Sequence, residues 1–155
     1  ELVREVTSSL EGSLALDLYA GVGLFTVPLA RRFARVVAVE SNAAAARDLE
    51  ANLGDTRVPA QAASAAAERF LSDWHEKPDA ALLDPPRAGV SADVLGRLAA
   101  LTPRRIHYLS CDAATLARDL GALSRAGYCV KELHLFDLFP QTFHIETLAK
   151  LQIDR

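Results

Sequence analysis

Apolar residues recur along this chain in short runs separated by segments of helical period, and the alternation predicts a layered α/β domain. Leu2, Val3, Val6 and Leu10 form a helical stripe that stops at Glu11-Gly12-Ser13. Residues 14–19 are apolar except for Asp17 and read as a buried strand, followed by the glycine turn Ala20-Gly21-Val22-Gly23 and a helix over 24–33 with Pro28 in its early turns. A strand over 35–40, an alanine-rich helix over 42–53 closed by Gly54, a weak strand over 57–60 and a helix over 62–71 come next. Pro59 places that weak strand at or near a sheet edge. Residues 79–84 form a further strand that runs into Asp84-Pro85-Pro86-Arg87-Ala88-Gly89, and Ser91 caps a helix over 92–101. The strand ending at Ser110 leads to a helix over 113–126. From Tyr128 the rhythm changes: 129–138 alternates imperfectly, Phe139-Pro140-Gln141-Thr142 is a turn, and 143–153 returns as a strand. The expected architecture is one domain over residues 1–155, a mostly parallel seven-stranded sheet closed by an antiparallel hairpin.

Composition narrows the setting without changing the fold. Half of the residues are hydrophobic, 24% are charged, and the net charge is -3. No apolar run is long enough to span a membrane. Two cysteines in unlike contexts do not make a disulfide framework, so a reducing, cytoplasmic setting is expected. The sequence holds no methionine and opens in what reads as the middle of a helix, so a piece of a longer protein is expected. A slightly acidic unit that works on nucleic acid needs basic surface from elsewhere, although Arg87, Arg104, Arg105 and Arg118 are expected to form a local patch at the carboxyl lip of the sheet.

Chemistry-bearing residues gather at predicted strand ends, where open α/β sheets bind ligands. Gly21 and Gly23 allow a backbone to approach a ligand, although Thr26 stands where the dinucleotide fingerprint has its third glycine. Glu40 ends the second strand about twenty residues after this turn, the place of an acid that takes the two hydroxyls of an adenosine ribose. The two prolines after Asp84 hold that carboxylate and Arg87 in a stiff loop. Cys111 follows a strand and precedes a helix; it is either a nucleophile or a small buried hydrophobe. Cys129, outside every such end, reads as structural.

Taken together, Asp17-Leu-Tyr-Ala-Gly-Val-Gly-Leu-Phe-Thr26, Val39-Glu40, Asp84-Pro-Pro-Arg-Ala-Gly89, Ser110-Cys111-Asp112 with Thr115-Leu-Ala-Arg-Asp119, and Phe139-Pro-Gln-Thr-Phe-His-Ile-Glu146 resemble the RNA uracil-5-methyltransferase family, in the family's order. The resemblance implies a Rossmann-like class I fold, S-adenosylmethionine as methyl donor, no metal, and transfer RNA or 23S ribosomal RNA as partner to a monomeric enzyme. It implies that Cys111 adds to C6 of the uracil, that Glu146 removes the C5 proton, and that Asp84 stands between cofactor and base. Tyr19, Gly21, Gly23, Glu40 and Asp84 are the implied cofactor residues. His144 shares a strand face with Glu146 and is either its orienting partner or a bystander.

The chain departs from the family at particular places. Asp112 follows the cysteine where Asn or Pro is frequent, and an adjacent acid disfavours a thiolate. Leu24 stands where many members carry a polar side chain, and residues 61–67 offer only Gln61 and Ser64 where an acid near the adenine is usual. The family's upstream oligonucleotide-binding region has no counterpart in these residues. A methyltransferase domain for another base or a small molecule, and a non-catalytic module that binds cofactor or RNA, are the competing readings; Asp84-Pro-Pro-Arg87 is not the Asn-Pro-Pro-Tyr type suited to amino-group methylation.

Overall fold

A computed structural model describes residues 1–54, 58–138, 140–141 and 145–154. A seven-stranded sheet in the order β3-β2-β1-β4-β5-β7-β6 is built from β1 (Gly12–Leu18), β2 (Phe33–Glu40), β3 (Ala60–Ser64), β4 (Ala80–Leu83), β5 (Arg105–Ser110), β6 (Tyr128–Phe136) and β7 (Glu146–Ile153). The first five strands run parallel, and β7 enters antiparallel between β5 and β6. The α/β architecture and the terminal hairpin are as the hydrophobic pattern predicts, and the third strand lies at a sheet edge, although not over the residues expected.

Helices cover both faces because the parallel strands are apolar on both. Leu16, Leu18, Val37, Val39, Leu83 and Tyr108 point to the face covered by α4 (Ala67–Asp73), α5 (Ala92–Leu101) and α6 (Ala113–Arg125), which supply Leu71, Val94, Leu98, Leu116 and Leu123. Ala15, Val36, Leu82, Leu109 and Leu148 point to the other face, covered by α1 (Leu2–Thr7) and α2 (Thr26–Leu29). There α3 (Ala43–Leu53) adds Leu49 and Leu53 over Ala38.

Two elements differ from expectation. The helix expected over 24–33 is the single α-turn of α2, because the chain must re-enter the sheet at Phe33, a buried residue of the α1–α2 cluster; Arg32 tightens the exit by bonding Leu10 O and Ser8 O. The third strand is not 57–60. It occupies Ala60–Ser64, whose last three residues are expected to begin the helix over 62–71, and it pairs residue by residue with Val36–Glu40. The ladder partners on the edge of β2 outweigh the helix propensity of the alanines. Residue 57, and Phe143 and His144 of the expected last strand, lie outside the described residues, as do Phe139 and Thr142 of the expected turn.

The first helix is fastened to the last strand. Lys150, on β7, is nearly buried, and its ammonium lies against Glu5 of α1 and 3.0 Å from Glu132 of β6. His107 contacts Val6 O through Nδ1 at 2.6 Å, and burial among these groups holds its pKa down at about 4, so it is neutral.

Candidate active site

The strand period places four carboxylates and one thiol on a single side of the sheet's carboxyl lip. Asp17 of β1 pairs with Ala38 and Leu82, which face α1–α3; Glu40 lies two residues beyond Ala38, and Asp84 two beyond Leu82. On β5 and β7, Leu109 pairs with Leu148 on that same side, and Ser110 pairs with Thr147. Cys111 follows Ser110 directly past the end of β5, and Glu146 begins β7 directly before Thr147, so each stands one residue from this pair. Such a gathering of negative charge suits a ligand that carries positive charge.

Glu40 closes the glycine turn. One carboxylate oxygen accepts from Gly21 N at 2.9 Å and the other from Asn42 N at 2.6 Å, so the acid fixes both the turn after β1 and the start of α3, whose N-cap is Asn42. Gly23 has φ +94°, and a Cβ there would stand 2.8 Å from Leu49 Cδ1; the turn packs onto α3 only because the side chain is absent. Asn52 of α3 also donates to Val22 O at 2.8 Å. Leu24 is exposed beside this turn, and no acid ends β3, where Ser64 pairs with Glu40.

Asp17 has no role in the sequence reading, yet it is 1% exposed. Thr26 Oγ1 donates to its Oδ2 at 2.6 Å, so the residue in the place of the third glycine ties α2 to β1. Among the described residues, Oδ1 of Asp17 is the buried side-chain polar atom without a hydrogen-bond partner. Burial, with the charges of Asp84 and Glu40 adding to it, pushes the Asp17 carboxyl up to about 7. An acid inside an otherwise apolar run was the sequence signal for it.

Asp84 leaves β4 half-buried, and burial followed by the charge of Glu146 raises its pKa to about 6. That influence brings Asp84 and Glu146 into one electrostatic neighbourhood. Cys111 is half-buried immediately before α6. The Asp112 carboxylate caps α6 by accepting from Thr115 N at 2.8 Å, and these bonds hold its pKa below the usual carboxylate range. The departure from Asn or Pro thus has a structural task, the N-cap of the thirteen-residue helix α6.

Other sequence-selected residues fall elsewhere. Tyr19 adopts φ +66°, a conformation uncommon for a bulky residue, and packs against the same face as Leu18 rather than the next one along. Its ring lines a groove of about 580 Å³ with Glu68, Pro86, Ser91, Arg118 and Arg125, away from Cys111 and Glu40. The expected basic patch does not form. Arg104 and Arg105 precede or begin β5 and sit at the opposite end of the strand from Cys111, beside Asp79. Arg118 is engaged by Asp119, and the charge of Arg87 is felt at Asp112. Cys129 lies on edge strand β6, its thiol 2.8 Å from Asp154 Oδ2.

Comparison with known proteins adds three findings. The family model described as tRNA (Uracil-5-)-methyltransferase matches residues 1–153. Among curated relatives, the 23S rRNA (uracil(1939)-C(5))-methyltransferase of Pseudomonas aeruginosa is 44% identical over 141 residues, which cover 86% of this chain and 30% of that protein. An RNA methyltransferase of Thermotoga maritima, itself uncharacterized, is 40% identical over 92% of this chain and 33% of its own length. The chain therefore spans about a third of the length of these relatives. Among solved structures, the Pyrococcus abyssi tRNA (uracil-54, C5)-methyltransferase in complex with S-adenosyl-L-homocysteine superposes with a TM-score of 0.86 at 36% identity, over 97% of this chain and 37% of that one.

Proposed function

Because the chain belongs to the tRNA (uracil-5-)-methyltransferase family, we propose that it is the catalytic unit of an enzyme that methylates C5 of a uridine in transfer or 23S ribosomal RNA. The observation that carries this reading is the place of Cys111 and Glu146 one residue beyond the Ser110–Thr147 pair of β5 and β7, with Asp84 near enough to Glu146 to feel its charge.

The residues at the lip fit S-adenosylmethionine. Glu40 would hold the ribose hydroxyls, and the unpartnered Oδ1 of Asp17 suits a cationic amino group. Gly21, Gly23 and the backbone turn at Tyr19 would shape the loop against the cofactor, and Asp84 would face its reactive end. The cofactor supplies a methyl group on a sulfonium centre.

The chain's own residues perform the remaining steps. Uracil C5 is too weak a nucleophile to take a methyl group unaided. The Cys111 thiolate adds its electron pair to C6, forming an S–C6 bond and moving the C5=C6 pair into an enolate over C5, C4 and O4. C5 now carries the electron pair that forms the new carbon–carbon bond, while the methyl–sulfur bond breaks. Glu146 then takes the C5 proton; the freed pair restores C5=C6, and Cys111 leaves as thiolate. Cys111 and Glu146 return to their starting states, the uracil keeps the methyl group on C5, and one proton is released. Residues 1–155, with a net charge of -3, do not concentrate the basic surface that RNA binding needs, so that surface would have to come from outside them.

Trapping with RNA that carries 5-fluorouridine at the target tests the reading. Fluorine cannot leave as a cation, so addition and methylation should end in a covalent adduct stable to denaturant. A folded, cofactor-bound protein that forms no adduct and transfers no methyl group would remove the proposal.

A further inference from the structure

The loop after β4 leaves the side of the sheet where Asp84, Cys111 and Glu146 gather and crosses to the other, where α6 receives it. Asp119 stands at the point of contact, 1% exposed and with three donors around its carboxylate. Val90 N donates to Oδ2 at 2.8 Å, Tyr108 Oη donates to Oδ2 at 2.6 Å, and Arg118 Nε donates to Oδ1 at 2.8 Å. Arg118 Nη2 reaches Ala88 O at 2.9 Å, and Thr115 Oγ1 reaches Arg87 O at 3.1 Å. The loop comes so close that a Cβ on Gly89, at φ +76°, would stand 2.6 Å from both Arg118 Nη2 and Asp119 Oδ2.

These bonds serve other segments more than the helix that bears Asp119. Tyr108 is fully buried on β5, three residues before Cys111; Val90 closes the loop that Asp84 opens. Burial and the Asp119 contact push the Tyr108 hydroxyl's pKa up, so it remains a donor. Pro85 and Pro86 stiffen the span between Asp84 and the anchored carbonyls, so a displacement at Val90 is carried back to Asp84. An apolar contact would hold the loop against α6, but charged hydrogen bonds fix its direction as well.

We propose that Asp119 is a positioning residue for the reaction: through Tyr108 and Val90 it sets the strand of Cys111 and the loop of Asp84 and Arg87 in register with each other. This rests on the methyltransferase reading above. Asp119 touches neither base nor cofactor and acts from the opposite face of the sheet.

The test compares Tyr108→Phe, Thr115→Val and Asp119→Asn in the full natural chain with Tyr128→Phe. Tyr128 is an equally buried tyrosine whose hydroxyl bonds Pro103 O at 2.9 Å, at the far end of the sheet. Single-turnover methyl transfer should fall by about tenfold in Tyr108→Phe and Asp119→Asn and less in Thr115→Val, while cofactor Kd moves by less than about twofold. Tyr128→Phe should lose comparable thermal stability and keep its rate. If Asp119→Asn does not fold, the two hydroxyl deletions carry the comparison. Equal rate losses in Tyr108→Phe and Tyr128→Phe, or a loss confined to KM, overturn the role of Asp119. Wild-type protein that neither methylates RNA nor is trapped by 5-fluorouridine RNA overturns the underlying reading instead.

Discussion

Cys111 and Glu146 each stand one residue beyond the Ser110–Thr147 pair that joins the antiparallel strands β5 and β7. A thiol and a carboxylate so placed can act on adjacent atoms of one ring, C6 and C5. Cys111→Ala should therefore abolish both methyl transfer and the covalent RNA adduct. Glu146→Gln should add and methylate, then stall with the C5 proton in place, and accumulate a methylated adduct on a denaturing gel. Normal turnover by Glu146→Gln would remove Glu146 as the base; an adduct with Cys111→Ala would remove the thiol.

Glu40→Ala should weaken cofactor binding by about tenfold or more, since it removes the ribose acceptor and frees the turn held at Gly21 N. Calorimetry on the folded variant measures this, and unchanged affinity would refute the assignment.

Asp17 makes the ligand-free protein sensitive to pH. Its carboxyl titrates at about 7 against an ordinary 3.8, so the folded state holds the proton more tightly than the unfolded chain. The associated stability is fully present below pH 4 and is lost as pH rises through 7, by a few kcal/mol at most at about 1.4 kcal/mol per unit. The thermal midpoint of wild type should fall from pH 5 to pH 8 more steeply than that of Asp17→Asn. Cofactor should flatten the wild-type curve by stabilising the ionised form, and parallel curves for the two proteins would contradict the shift.

Gly89→Ala should destabilise the protein by about 1–3 kcal/mol, since it combines a left-handed φ with a collision against Arg118 and Asp119. Denaturant titration reads the loss. Cys129→Ala, by contrast, removes one contact to Asp154 on an exposed edge. It should lower the midpoint slightly and leave methyl transfer intact.

The parts of this molecule that the sequence makes legible are those where one residue's character decides its place. Apolar runs such as 14–19 and 35–40 announce buried strands, and Ser91 caps its helix as expected, whereas the capping roles of Asn42 and Asp112 emerge from the structure. Residues 60–64 are not legible, because alanine and serine carry no strand signal and pairing with β2 alone makes them one. The same holds for the site. Glu40 can be found from its distance to the glycine turn, whereas the roles of Asp17 and Asp119 depend on which donors reach them through space. Arg104 and Arg105 are near Cys111 in sequence and a strand's length from it in the fold. His144, whose relation to Glu146 the strand period raised, lies outside the described residues.

The insertion of β7 between β5 and β6 has a consequence for the order in which the molecule comes into being. A ribosome delivers β1 through β4, with the glycine turn, Glu40 and Asp84, before it delivers the thiol, and the thiol before Glu146. During synthesis β6 has no neighbour to pair with, and Cys111 stands without Glu146, until residues 146–153 emerge and take their place between β5 and β6. The nascent chain thus completes the glycine turn and its Glu40 brace well before it holds both Cys111 and Glu146. On the proposed mechanism, the thiol that would form the bond to the base precedes β7 in the chain, and the carboxylate that would release it arrives with β7.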